Sequence, residues 1–154
     1  MIAVNLRRRR LTIVRVGQVP AMRVCDCETW GLLDRTRRDL ILAGFMEWAW
    51  LFYRMQLKLL ARGSHVAICA LLAVRSGQGR ARKVMTELCQ WADCARVTLE
   101  LTPSAHWGAD IAQLTKFYVS LGFEVNKEPD LPFRVQEAMI RYPVRGRGHL
   151  TSAT

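Results

Sequence analysis

Apolar and polar residues repeat along this chain with two periods, one of two residues and one of three to four. Leu11 to Val16 follows the short period and predicts a first strand, which Gly17 and Pro20 would end. Arg35 to Phe45 predicts a helix, with Asp34 or Thr36 as its cap. The aromatic run Trp48 to Tyr53 reads as a strand, although periodicity does not separate such a run from buried helix. Val66 to Val74 is apolar at every position and predicts a further strand. Beyond it, Ala81, Val84, Met85, Leu88 and Ala92 recur at i, i+3, i+4, i+7 and i+11, one apolar stripe on a helix of about four turns that should pack on a sheet. Val97 to Leu101 is the next strand, stopped by Thr102-Pro103-Ser104. Ile111, Leu114, Phe117, Tyr118 and Leu121 return to helical spacing, and Gly122 stands where a left-handed residue ends a helix. Phe123 to Val125 and Ala138 to Tyr142 complete the series as strands.

This order predicts an α/β (α+β) fold with a mixed central sheet flanked by helices, in one domain over residues 1–143. Half of the residues are apolar, enough for one sizeable core. Residues 144–154, with Arg145-Gly-Arg-Gly148, have no pattern that would bury them and read as a mobile basic tail. The densest apolar region, Ile41 to Leu60, is interrupted by Glu47, Arg54 and Lys58, so it reads as core and not as a membrane span. No apolar stretch with a small-residue cleavage site follows the arginine run Arg7 to Arg10, and the expected location is cytoplasmic. Among five cysteines, Cys69 in the apolar strand and Cys89 near a helix stripe read as buried thiols. Cys25-x-Cys27 with Cys89 and Cys94 lacks the paired CxxC spacing of a zinc site, so no metal is expected.

The chemistry concentrates where the apolar strand meets the helix stripe. The segment Arg75-Ser-Gly-Gln-Gly-Arg-Ala81 joins the two, and its glycines at 77 and 79 let backbone N–H groups approach an anion with no Cβ in the way. The uncompensated amides of the following helix add attraction, and Arg75, Arg80, Arg82 and Lys83 surround the turn with positive charge. A dinucleotide fingerprint would need a third glycine at Arg82, and a P-loop would need Gly-Lys-Ser/Thr; neither is present.

Laid on Ser76-Gly77-Gln78-Gly79-Arg80-Ala81, the segment resembles the acetyl-CoA loop of the GNAT N-acetyltransferases, Gln/Arg-x-x-Gly-x-Gly/Ala, with Ser76 departing at the first position and Arg75 beside it. Phe117-Tyr118-Val-Ser-Leu-Gly122-Phe123 resembles that family's Leu-Tyr-Glu-Lys-Leu-Gly-Phe signature at the same spacing from the loop. The likeness covers Val66 to Tyr142. The family usually has two helices and a hairpin before its central strand; no Asn-Gly or Asp-Gly turn lies between Trp48 and His65, so the first half of the chain reads as shortened or rebuilt.

The resemblance implies transfer of an acetyl group from acetyl-CoA to a primary amine by direct attack in a ternary complex. Leu72, Ala73 and Val74 would offer backbone groups to the pantetheine and thioester. Arg75, Gly77, Gln78, Gly79, Arg80, Ala81 and Arg82 would hold the diphosphate. Tyr118 matches the family's usual acid, which would protonate the departing thiolate, and an amphipathic core tyrosine has the same sequence pattern. An amine with a pKa near 10.4 is neutral in only about one molecule in a few thousand at pH 7, so a base is needed. The family often uses a carboxylate on the central strand, but Val66 to Val74 has none. Glu100 is the first substitute, set by strand alternation on the face opposite Leu99 and Leu101; an exposed strand carboxylate reads the same way. His65, His106 and Asp110 are the others.

The charge adds a second reading. With 23 basic and 13 acidic residues the net charge is +10, and the arginines at 7–10, 35–38 and 145–147 form patches that also attract nucleic acid, an anionic membrane or an acidic protein. The sequence does not reveal the amine acceptor; an acidic protein that carries it or docks beside it is one reading, and an interaction protein on the same fold is the alternative to an enzyme. A dimer is compatible with the sequence, which has no motif that sets the oligomeric state.

Overall fold

The computed structural model describes residues 11–16, 19–24, 29–74, 78–127 and 137–145. Helix α1 (Arg35–Tyr53) starts where Asp34, in extended conformation, accepts a hydrogen bond from the Arg37 N–H at 2.8 Å. It continues past Phe45 through the aromatic run, so Trp48 to Tyr53 is helical and not a strand. Burial decides between the two periods: Phe45, Trp48 and Ala49 fall at i, i+3 and i+4 and are all in the core. Arg54, left-handed with φ 51°, ends the helix.

Strand β3 (Met55–Arg62) follows at once, with Met55, Leu57 and Leu59 buried and Gln56, Lys58 and Leu60 exposed. It turns at Gly63-Ser64, Gly63 taking φ +57°, into strand β4 (His65–Ala73). A hairpin thus stands where the absence of Asn-Gly or Asp-Gly argued against one. The Gly-Ser pair supplies the tight turn instead. Helix α2 (Arg80–Ala95) leads to β5 (Thr98–Leu101), parallel to β4. Helix α3 (Ile111–Ser120), ended by Gly122 at φ +91°, leads to β6 (Glu124–Val125), and β7 (Met139–Arg141) inserts between β5 and β6. The sheet order is β3-β4-β5-β7-β6, mixed, with helices packed on it, which is the expected α+β class.

At the front, β1 (Leu11–Val16) and β2 (Val19–Val24) form a separate antiparallel pair. The first strand ends at Val16 as its spacing predicts, and Pro20 is the second residue of β2, opposite Arg15. At the other end, the Val144 N–H donates to Asp93 Oδ1 at 2.8 Å, so the expected tail is ordered at its start, while residues 146–154 lie outside the described residues.

Phe45 of α1 and Trp91 of α2 touch at 5.2 Å between ring centroids, which sets both helices on one face of the sheet over Val66, Leu99 and Leu101. Trp30 packs edge-on to Trp91 at 5.7 Å and donates its indole N–H to the Gly63 carbonyl at 2.9 Å. Arg38 lies 5.1 Å over the Trp30 ring and bonds both the Trp30 and Gly63 carbonyls. One of the arginines counted into a basic patch is thus a fastener of the fold. Cys89 is buried and its thiol is pushed up to about 11, chiefly by desolvation. Cys94 is disulfide-bonded and so is not a free thiol.

Arg141, nearly fully buried, clasps three elements: its guanidinium holds Asp93 of α2 in two bonds of 2.7 and 2.9 Å, and its Nε donates to the Leu121 carbonyl at 2.9 Å. Asp93→Asn would leave that buried cation without its counter-charge. The expected loss is about 3 kcal/mol, read as a lower urea midpoint at unchanged slope.

Candidate functional site

The parallel ladder between β4 and β5 runs from His65 opposite Thr98 to Ile68 opposite Leu101 and stops there. Strand β4 goes on to Ala73, paired only with β3. Just at the parting the β3–β4 register shifts: Leu59 pairs with Ile68 and Lys58 with Ala70, leaving Cys69 as the extra residue of a bulge. The bulge explains why Cys69, expected as a buried thiol, is exposed. The Val74 N–H donates to the Arg54 carbonyl at 3.3 Å, so by strand alternation Leu72 and Val74 turn their N–H groups toward β3. The groups turned to the open side are those of Leu71 and Ala73. Of the three residues expected to offer backbone there, Ala73 does, Leu72 and Val74 do not, and Leu71 was missed because a one-residue bulge is invisible in an all-apolar run.

Helix α2 opens at Gly79, whose φ of +64° suits a residue without a side chain. No side chain caps it, so the first-turn N–H groups of Arg80, Ala81 and Arg82 have no intrahelical partner. A Cβ built on Gly79 would meet nothing within 4 Å, so the turn is open there. Gln78 beside it is exposed; Arg75, Ser76 and Gly77 lie outside the described residues. Arg80 departs from expectation: its guanidinium donates to the Tyr53 carbonyl at 3.3 Å, at the end of α1. Ala81 packs against the core.

Arg82 joins this turn to α3. Its guanidinium donates to Ser120 Oγ at 3.0 Å and lies 5.2 Å over the Phe117 ring. Tyr118, next to Phe117, is 8% exposed and sits between the rings of Phe117 and Phe123, at 5.2 and 5.7 Å. Its hydroxyl makes no hydrogen bond to any described residue, and among the described residues no buried side-chain polar atom lacks a partner, so this hydroxyl is not sealed off. Desolvation raises its pKa above the usual 10.0, which keeps it a proton donor at neutral pH.

Glu100 is buried, 1% exposed, and is not an exposed strand residue. It pairs across the sheet with Ala67 and Ile140, one rung before β4 and β5 part. Arg62, at the end of β3, holds it at 3.2 Å and holds Glu137 at 2.9 Å. Glu137 in turn accepts from Thr102 Oγ1. Burial raises the Glu100 pKa, and the Arg62 and His65 charges pull it back down. Neither Arg62 nor Glu137 stood out in the sequence, because their link to Glu100 exists only through strand pairing. Of the other candidate bases, His65 is half-buried near Glu100. His106 is exposed with its Nδ1 2.6 Å from Ser104 Oγ, and Asp110 is occupied as the cap of α3, accepting the Ala112 N–H at 2.8 Å.

Among the described residues no group of three His, Cys, Asp or Glu side chains could hold a metal ion, and no helix is long and apolar enough to cross a membrane. A cavity of about 370 Å³ lies away from this turn, between α1 and β3. Comparison with protein-family models, with curated proteins and with solved structures finds no match to this chain.

The raised pKa of Tyr118 has a measurable sign. Folding favours its protonated form, so its contribution is whole below the unfolded pKa near 10 and is lost as pH rises through the higher folded value. Tyr118→Phe should therefore lose less stability than the parent between pH 9 and 11. Urea midpoints across that range provide the check.

Proposed function

We propose that this chain is an acetyl-CoA-dependent N-acetyltransferase acting on a primary amine. The observation that carries the reading is the unpaired side of β4 together with the next helix in the chain, which has no side-chain cap and whose first turn is tied, through Arg82, to the helix bearing Tyr118. An extended pantetheine would hydrogen-bond to Leu71 and Ala73 as an added strand does. The diphosphate would take the amides of Gly79 to Arg82, where the helix dipole favours an anion.

The residues then divide the proton work. The acceptor nitrogen attacks the thioester carbonyl, forming the C–N bond, and the C–S bond breaks. Glu100, with a pKa raised by burial, takes the proton from the amine through water. Tyr118 gives its proton to the leaving sulfur and is reprotonated from solvent. The outward amides of β4 stabilise the oxyanion, a fixed-dipole effect of a few kcal/mol for one good donor.

The second reading is a non-catalytic interaction protein on the same fold. It is favoured by the ion pair with Arg62, which occupies the carboxylate that would be the base. The nucleic-acid form of that reading loses Arg38, which is spent on Trp30 and Gly63.

Acetyl-CoA should raise the melting temperature, and the rise should continue with the logarithm of its concentration above the dissociation constant, since a ligand bound only by the native state stabilises it. Gly79→Glu should abolish the shift; an unchanged shift rejects the phosphate turn. In the presence of an amine panel, free CoA should appear, and Tyr118→Phe should slow its release ~100-fold with the dissociation constant of acetyl-CoA retained. A thermal shift without any CoA release would favour the second reading.

A further inference from the structure

Strand β3 is the last strand of its sheet, and no described strand pairs with its outer side. Alternation settles which of its groups point outward. Arg54 accepts from Val74 and Arg62 pairs with His65 across the turn, so the even-numbered residues bond to β4 and Met55, Leu57 and Leu59 turn their backbone away. The Leu59 N–H is taken by the Met46 thioether at 3.4 Å, a weak acceptor reaching down from α1. Met55 and Leu57 border the open cavity of about 370 Å³, together with Met46, Trp50 and Gln56. Beside the cavity, α1 presents Leu40, Ala43, Glu47, Trp50 and Leu51 on one solvent face, with Leu40, Trp50 and Leu51 still 45, 45 and 42% exposed. An open strand edge and an apolar helix face side by side are a combination that proteins generally cover.

We propose that a second copy of this chain covers them, β3 pairing antiparallel with β3 about a two-fold axis while the two α1 faces close over the joint. Charge argues for a copy of the same chain. At net +10 two such molecules repel through most of their surfaces, but this patch carries both signs, Glu47 on α1 and Arg54 at its end, 5.7 Å over the Trp50 ring. Centred on Leu57, the pairing sets Lys58 opposite Gln56 of the second copy, so like charges do not meet. Leu40, Trp50 and Leu51, 45, 45 and 42% exposed, would supply part of the ~450 Å² of apolar area in a standard interface of ~800 Å² per partner. The inference is independent of the acetyltransferase reading.

Sedimentation equilibrium at micromolar concentration should give a species of twice 17.6 kDa. Trp50→Glu, and separately Leu51→Lys on the same face, should give folded monomers by circular dichroism, with Met55 and Leu57 amides exchanging at least ~10-fold faster than in the dimer. A parent chain that stays monomeric, or a dimer that survives both substitutions, overturns the proposal. A monomer in which those two amides are nonetheless protected also overturns it, because another segment of the same chain would then occupy the edge.

Discussion

A nine-residue strand lies parallel to a four-residue one, and most of what is distinctive about this structure follows from that mismatch. Main-chain groups of β4 beyond Ile68 have no ladder on the β5 side, and unpaired backbone is costly if it is also dry. The bulge at Cys69 accommodates the change, resetting the alternation so that Leu71 still packs on the core while Ala70 faces away from it. Arg82 separately ties the start of α2, which has no side-chain cap, to the helix that bears the tyrosine. The proposed chemistry is a use of groups that the sheet itself leaves unsatisfied.

Much of the positive charge is structural. Arg141 holds α2, β7 and the end of α3; Arg38 holds the β3–β4 turn; Arg62 balances two carboxylates; Arg80 and Arg82 bridge from the first turn of α2 to α1 and α3. Each spreads guanidinium donors over carbonyl, carboxylate or ring partners that a lysine ammonium would match less well. A net charge counted from composition therefore overstates what is free to attract an anionic partner.

Local pattern was enough for the second half of the fold. The stripe from Ala81 to Ala92, the apolar run of β4 and the Gly122 stop each depend on neighbours within one turn or one strand, and each element formed where its spacing predicts. Tertiary burial overrode the reading at Trp48 to Tyr53, where Phe45, Trp48 and Ala49 share a helical face in contact with α2. Glu100 was legible as facing away from Leu99, but its enclosure was not. The side chains that bury it come from Arg62, 38 residues before it, and from the pairing with Ile140.

The carbonyl of Gly63 accepts from both the Trp30 indole and the Arg38 guanidinium. The residue next to Gly63 is Arg62, whose position relative to Glu100 sets how much that buried carboxylate feels a neutralising cation. An indole and a guanidinium on the far side of the hairpin thus act as a mechanical brace on an electrostatic quantity. Burial is the larger influence on the acidity of Glu100, and the clamped turn bears on the smaller one, the Arg62 cation.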